Sequence, residues 1–352
     1  MSPSSAGMVR ESGITKVSLM NTTDFDPIDE QILHALHLDG RVPYSRVAEA
    51  IGVSEQTVAR RYSRLRSSNA LRVWGLVDRS KLGHVEWLVR IRCTPDSAEA
   101  IAQALARRSD TSWISRTSGG TELVCTTAAA TPGESLLLRE LPKTARVLDV
   151  TAHCLLHIFS GRPAGIAAKL TALTPAQIAL VRPADADNRS SEPEHRTSEK
   201  DLDDLDHRLI ALLRDDGRAT TAWLAAQTGA SRSTVQRRIA DLRAAGVLYF
   251  HVDVRWPMLG LGVRTLLWLS VEPARMESAG LALAAHPEVA FVAATSGAAN
   301  LHASLVTRDI PALYTYLSTR IATLRGVRSV DSAPVLETYK GAAGLHGPAS
   351  DF

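Results

Sequence analysis

Between residues 28 and 65 the apolar positions recur at intervals of three and four, in three separate runs: Ile28, Ile32, Leu33 and Leu36; Val47, Ala48 and Ile51; Val58, Tyr62 and Leu65. That period puts each run on one face of a short helix. The same three runs return later as Leu205, Leu209, Leu212 and Leu213, then Leu224 and Ala225, then Val235, Ile239 and Leu242. Gly52-Val53-Ser54 and Gly229-Ala230-Ser231 separate the second helix of each set from the third. Gly suits a left-handed helix end and Ser suits the next N-cap. The spacing predicts a tight helix-turn-helix, twice.

Beyond Gly83 the period changes from helical to alternating. Trp87, Val89, Ile91 and Cys93 alternate with Leu88, Arg90, Arg92 and Thr94, as on a strand with two different faces. Residues 96–110 return to a helical pattern, SWISRTSGG and TELVCTT flank a glycine turn as a hairpin, residues 135–148 read as a second helix interrupted by Pro142, and TAHCLLHIF closes as a strand. The order is β-α-β-β-α-β, a ferredoxin-like arrangement. RTLLWLSVEP, ARMESAGLALAAHP, VAFVAATSG, LHASLVT, DIPALYTYLSTRIATLRG and VRSVDSAPVLETY repeat it. Pro95 and Pro273 mark the exits of the two first strands. The predicted fold class is α+β, with two helix-turn-helix domains and two ferredoxin-like domains in tandem.

The two halves are copies. Thr57, Val58, Arg60, Arg61, Leu65 and Arg66 return 177 positions later as Thr234, Val235, Arg237, Arg238, Leu242 and Arg243, and Asp29, Gly40, Arg41, Leu82 and Gly83 have the same relation to Asp206, Gly217, Arg218, Leu259 and Gly260. After one insertion, Thr117-Ser118-Gly119 matches Thr295-Ser296-Gly297. Expected domains are helix-turn-helix 25–72, sheet domain 84–160, linker 180–201, helix-turn-helix 202–249 and sheet domain 261–340. Residues 1–24, the linker and the tail from Gly341 are rich in polar and charged residues and poor in large apolar ones, and are expected to be disordered.

Composition narrows the function. The 352-residue chain carries a net charge of only +3, yet residues 54–67 and 231–245 each hold four arginines against one acid. Charge is concentrated on the third helix of each copy. Stepping ~100° per residue from inward-facing Val58 puts Gln56, Arg60 and Ser63 on the outer side. Their counterparts are Ser233, Arg237 and Ala240, with Arg232 and Gln236 beside them. Arg pairs with guanine and Gln with adenine in the major groove, while Arg61, Arg64, Arg238 and Arg243 are read as positioned toward phosphates, and Thr57 is counted with the DNA-binding residues. A plain solvated helix face is the bland alternative. Because Glu55-Gln56 stands where the second copy has Arg232-Ser233, the two readers are expected to prefer different half-sites.

Three cysteines, none in C-x-x-C spacing, fit reduced thiols and a cytoplasmic location, and no apolar run is long enough to span a membrane. His153 and His157 share a strand face without a third ligand. No P-loop, G-x-S-x-G or metal motif occurs, so no catalytic residue, cofactor or metal is expected.

Asp29-Glu-Gln-Ile-Leu, Asp39-Gly-Arg, Val47-Ala-Glu-Ala-Ile-Gly-Val-Ser, Val58-Ala-Arg-Arg and Lys81-Leu-Gly, each with a second-copy partner, carry a resemblance to the Lrp/AsnC family of transcriptional regulators. The resemblance covers nearly the whole chain, twice, where members usually contain one copy. It implies an internal pseudo-dimer that assembles further into a homo-oligomer, double-stranded DNA as a partner, and an amino acid or related small molecule as effector. It also implies an effector pocket at the turn between the second and third strands. The matching positions are Gly119, Gly120 and Glu122, whose carboxylate would meet an ammonium group, and Gly297 with Asn300, where the acid is replaced. The competing readings are a sirohaem-decarboxylase-like enzyme, which shares the tandem architecture but has an aromatic, His- and Tyr-rich sheet domain, and an effector-sensing protein without DNA binding. Only 5% of this chain is aromatic.

Overall fold

The computed structural model describes residues 25–131, 135, 139–161, 170–182 and 201–342. The expected loose segments 1–24 and 343–352, and most of the linker, lie outside the described residues. The first copy runs α1 (Pro27–Leu38), α2 (Tyr44–Ile51), α3 (Glu55–Ser67), β1 (Leu71–Val77), β2 (Val85–Cys93), α4 (Ala98–Ala106), β3 (Thr111–Thr117), β4 (Glu122–Ala129) and β5 (Val147–Ser160). After α5 (Pro175–Val181) come α6 (Asp204–Asp215), α7 (Thr221–Thr228), α8 (Arg232–Ala244), β6 (Leu248–Val254), β7 (Val263–Val271), α9 (Met276–Ala285), β8 (Val289–Thr295), β9 (Leu301–Thr307), α10 (Ile310–Thr315) and β10 (Val327–Lys340).

The helix-turn-helix signals act as the sequence suggests. Gly52 and Gly229 cap α2 and α7 at φ 72°, a left-handed conformation that costs glycine little. Ser54 and Ser231 then accept hydrogen bonds from the Thr57 and Thr234 amides at the starts of α3 and α8. Asp26 with Asp29, and Asp203 with Asp206, form capping boxes at α1 and α6.

The sequence pattern does not show β1 and β6. They pair antiparallel from Leu71↔Val254 to Val77↔Leu248, so each follows its own third helix and is completed by the other copy. This ribbon merges both helix-turn-helix cores into one, built on Leu36, Leu71, Val73, Leu213, Leu248 and Phe250 among others. The two Asp-Gly-Arg motifs lie at this junction. Arg41 donates to the Gly217 and Ala219 carbonyls (2.7 and 2.9 Å), and Arg218 donates to those of Gly40 and Val42 at the same distances. Gly217 must lack a side chain, because a Cβ would lie 2.8 Å from the Val73 carbonyl oxygen.

The eight remaining strands close into a barrel in the order β10-β3-β4-β2-β5-β8-β9-β7. The 14-residue strands β5 and β10 make the closure. Residues 147–154 of β5 pair with β2 and 155–160 with β8; residues 327–334 of β10 pair with β7 and 335–340 with β3. Each copy's last strand therefore covers the other's edge strand, satisfying backbone groups that a lone ferredoxin-like sheet would leave open. Separate cores lie under the helices, around Ile91, Leu105 and Leu123 in the first copy and Leu269, Leu283 and Leu301 in the second.

Three local differences from the sequence pattern have physical causes. Of the helix expected over 135–148, residues 136–138 lie outside the described residues; residues 139–140 are helical, a 3-10 turn follows at Leu141–Lys143 and β5 begins at Val147. Pro142, without an N–H, suits the first turn of a helix and not its interior. In the second copy, α10 passes into a π-helical stretch at Tyr316–Ile321. Finally, α5 lies just before the expected linker and overlaps its first residues. Its Val181 and the nearby Leu173 are buried in the helix-turn-helix core, and the Leu173 amide donates to His34 Nδ1 at 3.1 Å.

Candidate DNA-reading helices and hairpin-turn sites

On α3, Gln56, Arg60 and Ser63 are exposed, as are Arg232, Ser233, Gln236, Arg237 and Ala240 on α8. Val58, Tyr62 and Leu65, and Val235, Ile239 and Leu242, are buried on the opposite sides. Thr57 is half-buried, its hydroxyl 2.8 Å from that of Ser54 at the helix start.

The structure divides the arginines into two groups. Arg61 reaches Asp26 (2.5 Å) and fully buried Asp29 (3.1 Å), and Arg64 reaches the other Asp29 oxygen (2.5 Å). Arg238 pairs with Asp203 and Asp206. Arg243 crosses the junction to Asp39 (3.1 Å), as Arg66 crosses to Asp216 (2.9 Å). Each of these guanidiniums holds α3 or α8 against the start of the first helix or against the other copy. The desolvated Asp29 carboxylate would cost several kcal/mol without them. Arg60 and Arg237 instead are exposed and make no ion pair or hydrogen bond among the described residues. The local sequence could not separate the groups, because the carboxylates that claim Arg61, Arg238 and Arg243 come from distant segments.

The two hairpin turns differ in the same way. At the first, Gly119 and Gly120 take positive φ (74° and 89°), and a Cβ on either would meet nothing within 4 Å. Glu122 is buried and bound by Arg90 (2.7 Å) and the Thr117 hydroxyl (2.8 Å). Arg90 also reaches Asp331 of the opposing strand (2.9 Å) and stacks 3.8 Å from the Trp268 ring centroid. Glu122 and Asp331 share the Arg90 guanidinium, and both Glu122 oxygens are bonded internally, so the carboxylate expected to meet an ammonium group is already engaged, while Asp331 is more than half exposed. Sequence reasoning missed Arg90 and Asp331, which are 241 residues apart.

At the second turn, Asn300 donates to the Val271 carbonyl (2.8 Å) and accepts from its amide (2.9 Å), a clamp onto the neighbouring strand. His153 Nδ1 lies 2.7 Å from the Ser296 carbonyl, and a Cβ on Gly297 would come within 2.9 Å of that nitrogen. The Cys154 amide donates to the Ser296 hydroxyl at 2.8 Å. From the strand registers, the residues facing the first turn in place of His153 and Cys154 are Ala333 and Pro334. Alanine is too short to fill the gap and proline has no N–H, so the first turn is open where the second is filled.

Cys93 and Cys125 are buried free thiols and Cys154 is half-buried, with burial pushing the Cys125 thiol up to about 12. His157 packs edge-on against Phe159. Among the described residues, no group of His, Cys, Asp and Glu could hold a metal ion, and no helix is long and apolar enough to cross a membrane.

Paired recognition helices on one ribbon, carried beside a closed barrel of two ferredoxin-like sheets, define a two-headed helix-turn-helix regulator. The AsnC-type helix-turn-helix domain matches residues 25–66 and again 202–243, and the Lrp/AsnC ligand binding domain matches residues 265–345. The HTH-type transcriptional regulator FL11 of Pyrococcus horikoshii is 28% identical over 140 residues, 40% of this chain and 92% of that protein. An uncharacterised HTH-type transcriptional regulator of the same organism is 30% identical over 148 residues, 40% of this chain and 91% of its own length. Among solved structures, the siroheme decarboxylase NirDL shares the fold over 90% of this chain and 93% of its own, with a TM-score of 0.60 and 14% identity. The chain belongs to the Lrp/AsnC family, with both copies of its regulator unit in one polypeptide.

Proposed function

We propose that this protein binds DNA sequence-specifically, with α3 and α8 reading two unlike half-sites, and that an amino acid at the first hairpin turn alters the placement of the two heads. The observation that carries the reading is the division of the arginines. Five on α3 and α8, Arg61, Arg64, Arg66, Arg238 and Arg243, hold the paired heads together or to their own first helices, while Arg60 and Arg237 are exposed and unpaired on equivalent outer faces. Arg60 with Gln56, and Arg237 with Gln236, offer side chains suited to guanine and adenine edges. Phosphate contact falls to Arg232, Ser63 and Ser233, and to Arg64, which is half-exposed despite its bond to Asp29.

For the effector, the exposed Asp331 carboxylate beside Glu122 suits an ammonium group, and the Gly119 and Gly120 amides suit a carboxylate. Gly297 and Asn300 are committed to internal contacts, which supports one amino-acid site per chain. The experiment is selection of bound duplexes from a random pool, then anisotropy titration at about physiological salt against random competitor. A recovered asymmetric pair of half-sites, weakened by Arg60→Ala at one half and by Arg237→Ala at the other, supports the reading. No enrichment over competitor overturns it.

An enzyme is the competing reading, favoured by the architecture shared with the siroheme decarboxylase over 90% of this chain. It requires binding of an iron-uroporphyrin, which an absorbance titration of the purified chain would detect.

A further inference from the structure

Between the barrel and the β1–β6 ribbon lies a cavity of about 320 Å³. It straddles the pseudo-two-fold axis, because equivalent positions of both copies line it: Glu86 and Arg264, Trp113 and Phe291, Val124 and His302, Ile158 and Thr338. In a dimer of identical subunits, a residue near the axis faces its own copy, so an arginine there would face a second arginine. Fusion of the copies lifts that restriction. At each of these four pairs the residues differ, and the cationic group is present on one side alone.

Arg264 contributes the charge. Its guanidinium contacts the Ser304 hydroxyl (3.2 Å) and the Ser115 hydroxyl (3.4 Å), lies 5.7 Å from the Trp113 ring centroid, and makes no ion pair among the described residues. Burial lowers its pKa to about 10, still charged at neutral pH, and Asp253 offsets this in part. Asp253 and Glu86 also line the cavity, but neither forms a direct ion pair with Arg264 among the described residues, and a desolvated guanidinium so placed is a costly arrangement that a contacting anion would relieve. Two further polar groups at the cavity wall lack partners: Nδ1 of His302, a residue 3% exposed, and the hydroxyl of Thr338, 4% exposed. His302 is bonded to the Leu267 backbone, and burial followed by the charge of Arg264 keeps it neutral. A neutral imidazole that donates to a carbonyl through one nitrogen offers the other as an acceptor.

Trp113 stands at φ 54° inside β3, at an irregularity in the β3–β4 pairing between Ser112 and Ser115. Left-handed backbone is costly for a bulky residue and such bulges re-aim side chains next to functional sites. Here the indole is placed near Arg264 and edge-on to His251 of the ribbon, 5.5 Å between centroids.

We propose that this axial cavity binds a small aromatic carboxylate carrying a ring N–H or hydroxyl, with the carboxylate on Arg264, the ring against Trp113 and Phe291, and the donor on His302 Nδ1. The volume is at the lower end of the ~300–1,000 Å³ of small-molecule sites, which suits a single or fused ring. Tyr249 and His251 of β6 also line the cavity, so the ligand contacts the ribbon that carries both DNA-reading heads. Binding stands independently of DNA recognition; only its effect on operator affinity rests on the function proposed above.

The test is calorimetry and tryptophan fluorescence on the full chain without DNA, using indole-3-acetate as probe and indole-3-acetamide as its neutral counterpart. The acid is expected to bind and to quench fluorescence, the amide to bind at least about tenfold more weakly, and Arg264→Gln to weaken the acid by a similar factor. Arg308→Gln, at an exposed arginine, leaves the affinity unchanged. Absence of binding at millimolar probe, equal binding of acid and amide, or unaltered binding by Arg264→Gln overturns the proposal. Should Arg264→Gln fail to fold, the acid and amide on the unaltered protein decide it.

Discussion

In the first copy the hairpin turn at Gly119 and Gly120 stands opposite Ala333 and Pro334, whereas in the second the turn at Gly297 meets His153 and Cys154. The reading helices show the reverse of this divergence, keeping Arg60 and Arg237 at equivalent exposed positions. Duplication within one chain permits both outcomes. A surface turned outward on both copies keeps its arginine in both. A surface that meets its own counterpart across the axis is free to become two different surfaces, as Glu86 opposite Arg264 shows.

The largest effect is expected where the comparison is still symmetric, at the Arg41 and Arg218 crossings. Each arginine makes two charge-assisted bonds to backbone carbonyls of the other copy, so Arg41→Ala should cost about 3 kcal/mol in urea unfolding. Arg218→Ala should cost more, since Arg218 lies over two rings, Tyr44 at 4.4 Å and Tyr62 at 5.2 Å, where Arg41 lies over Phe250 at 5.5 Å. Equal losses would mean that the closer stacking adds nothing.

Acid exposes an asymmetry of buried histidines. Burial lowers His37 in the first helix-turn-helix to about 4 and His302 in the second sheet to about 3, and their counterparts by position are Arg214 and Val124. Depressed folded pKa values mean that the unfolded chain binds more protons between those values and the ordinary 6.5. The histidines' contribution is therefore complete above about pH 6.5 and is lost as the pH falls toward 4 and then 3. Urea midpoints should fall over that range, and His302→Asn should flatten the fall. A profile that is level from pH 7 to 4 would contradict the burial of both rings.

At the DNA face, Arg60→Ala and Arg237→Ala should each lower specific affinity by ~1–3 kcal/mol, at different half-sites. Exchanging the sequences of α3 and α8 should exchange the preferred half-sites, and an unchanged preference would refute separate readers. Titration with a panel of amino acids should give one molecule per chain, abolished by Glu122→Gln; two per chain would show that the second turn opens. The smallest effect is expected for Asp216→Asn at the Arg66 pair, where the arginine is half-exposed: less than about 1 kcal/mol, as is usual for such surface pairs.

Much of this architecture was legible in the sequence because it depends on local spacing. Gly52 and Ser54 set their turn, Val58, Tyr62 and Leu65 set the buried side of α3, and so the outward direction of Arg60 followed. The β1–β6 ribbon was not legible, since Leu71–Val77 finds its partner 171 to 183 positions away and its alternation is blurred by burial of Trp74, Gly75 and Leu76 in a row. Arg61, Arg238 and Arg243 looked like phosphate contacts for the same reason: nothing near them in the sequence announces Asp26, Asp203 or Asp39. Glu122 was singled out by its place after the glycines, but its bond to Arg90 depends on two strands lying side by side.

The sequence by itself determined that there are two copies, most of the helices and barrel strands of each, and which helix carries the charge, because periodicity and capping act within a few residues. Tertiary structure decided which arginines are free, which turn is open and where the cavity lies. Those outcomes depend on pairings between residues from about 30 to more than 200 positions apart, and a chain's order says nothing about such neighbours until the helices pack and β5 and β10 cross to close the barrel.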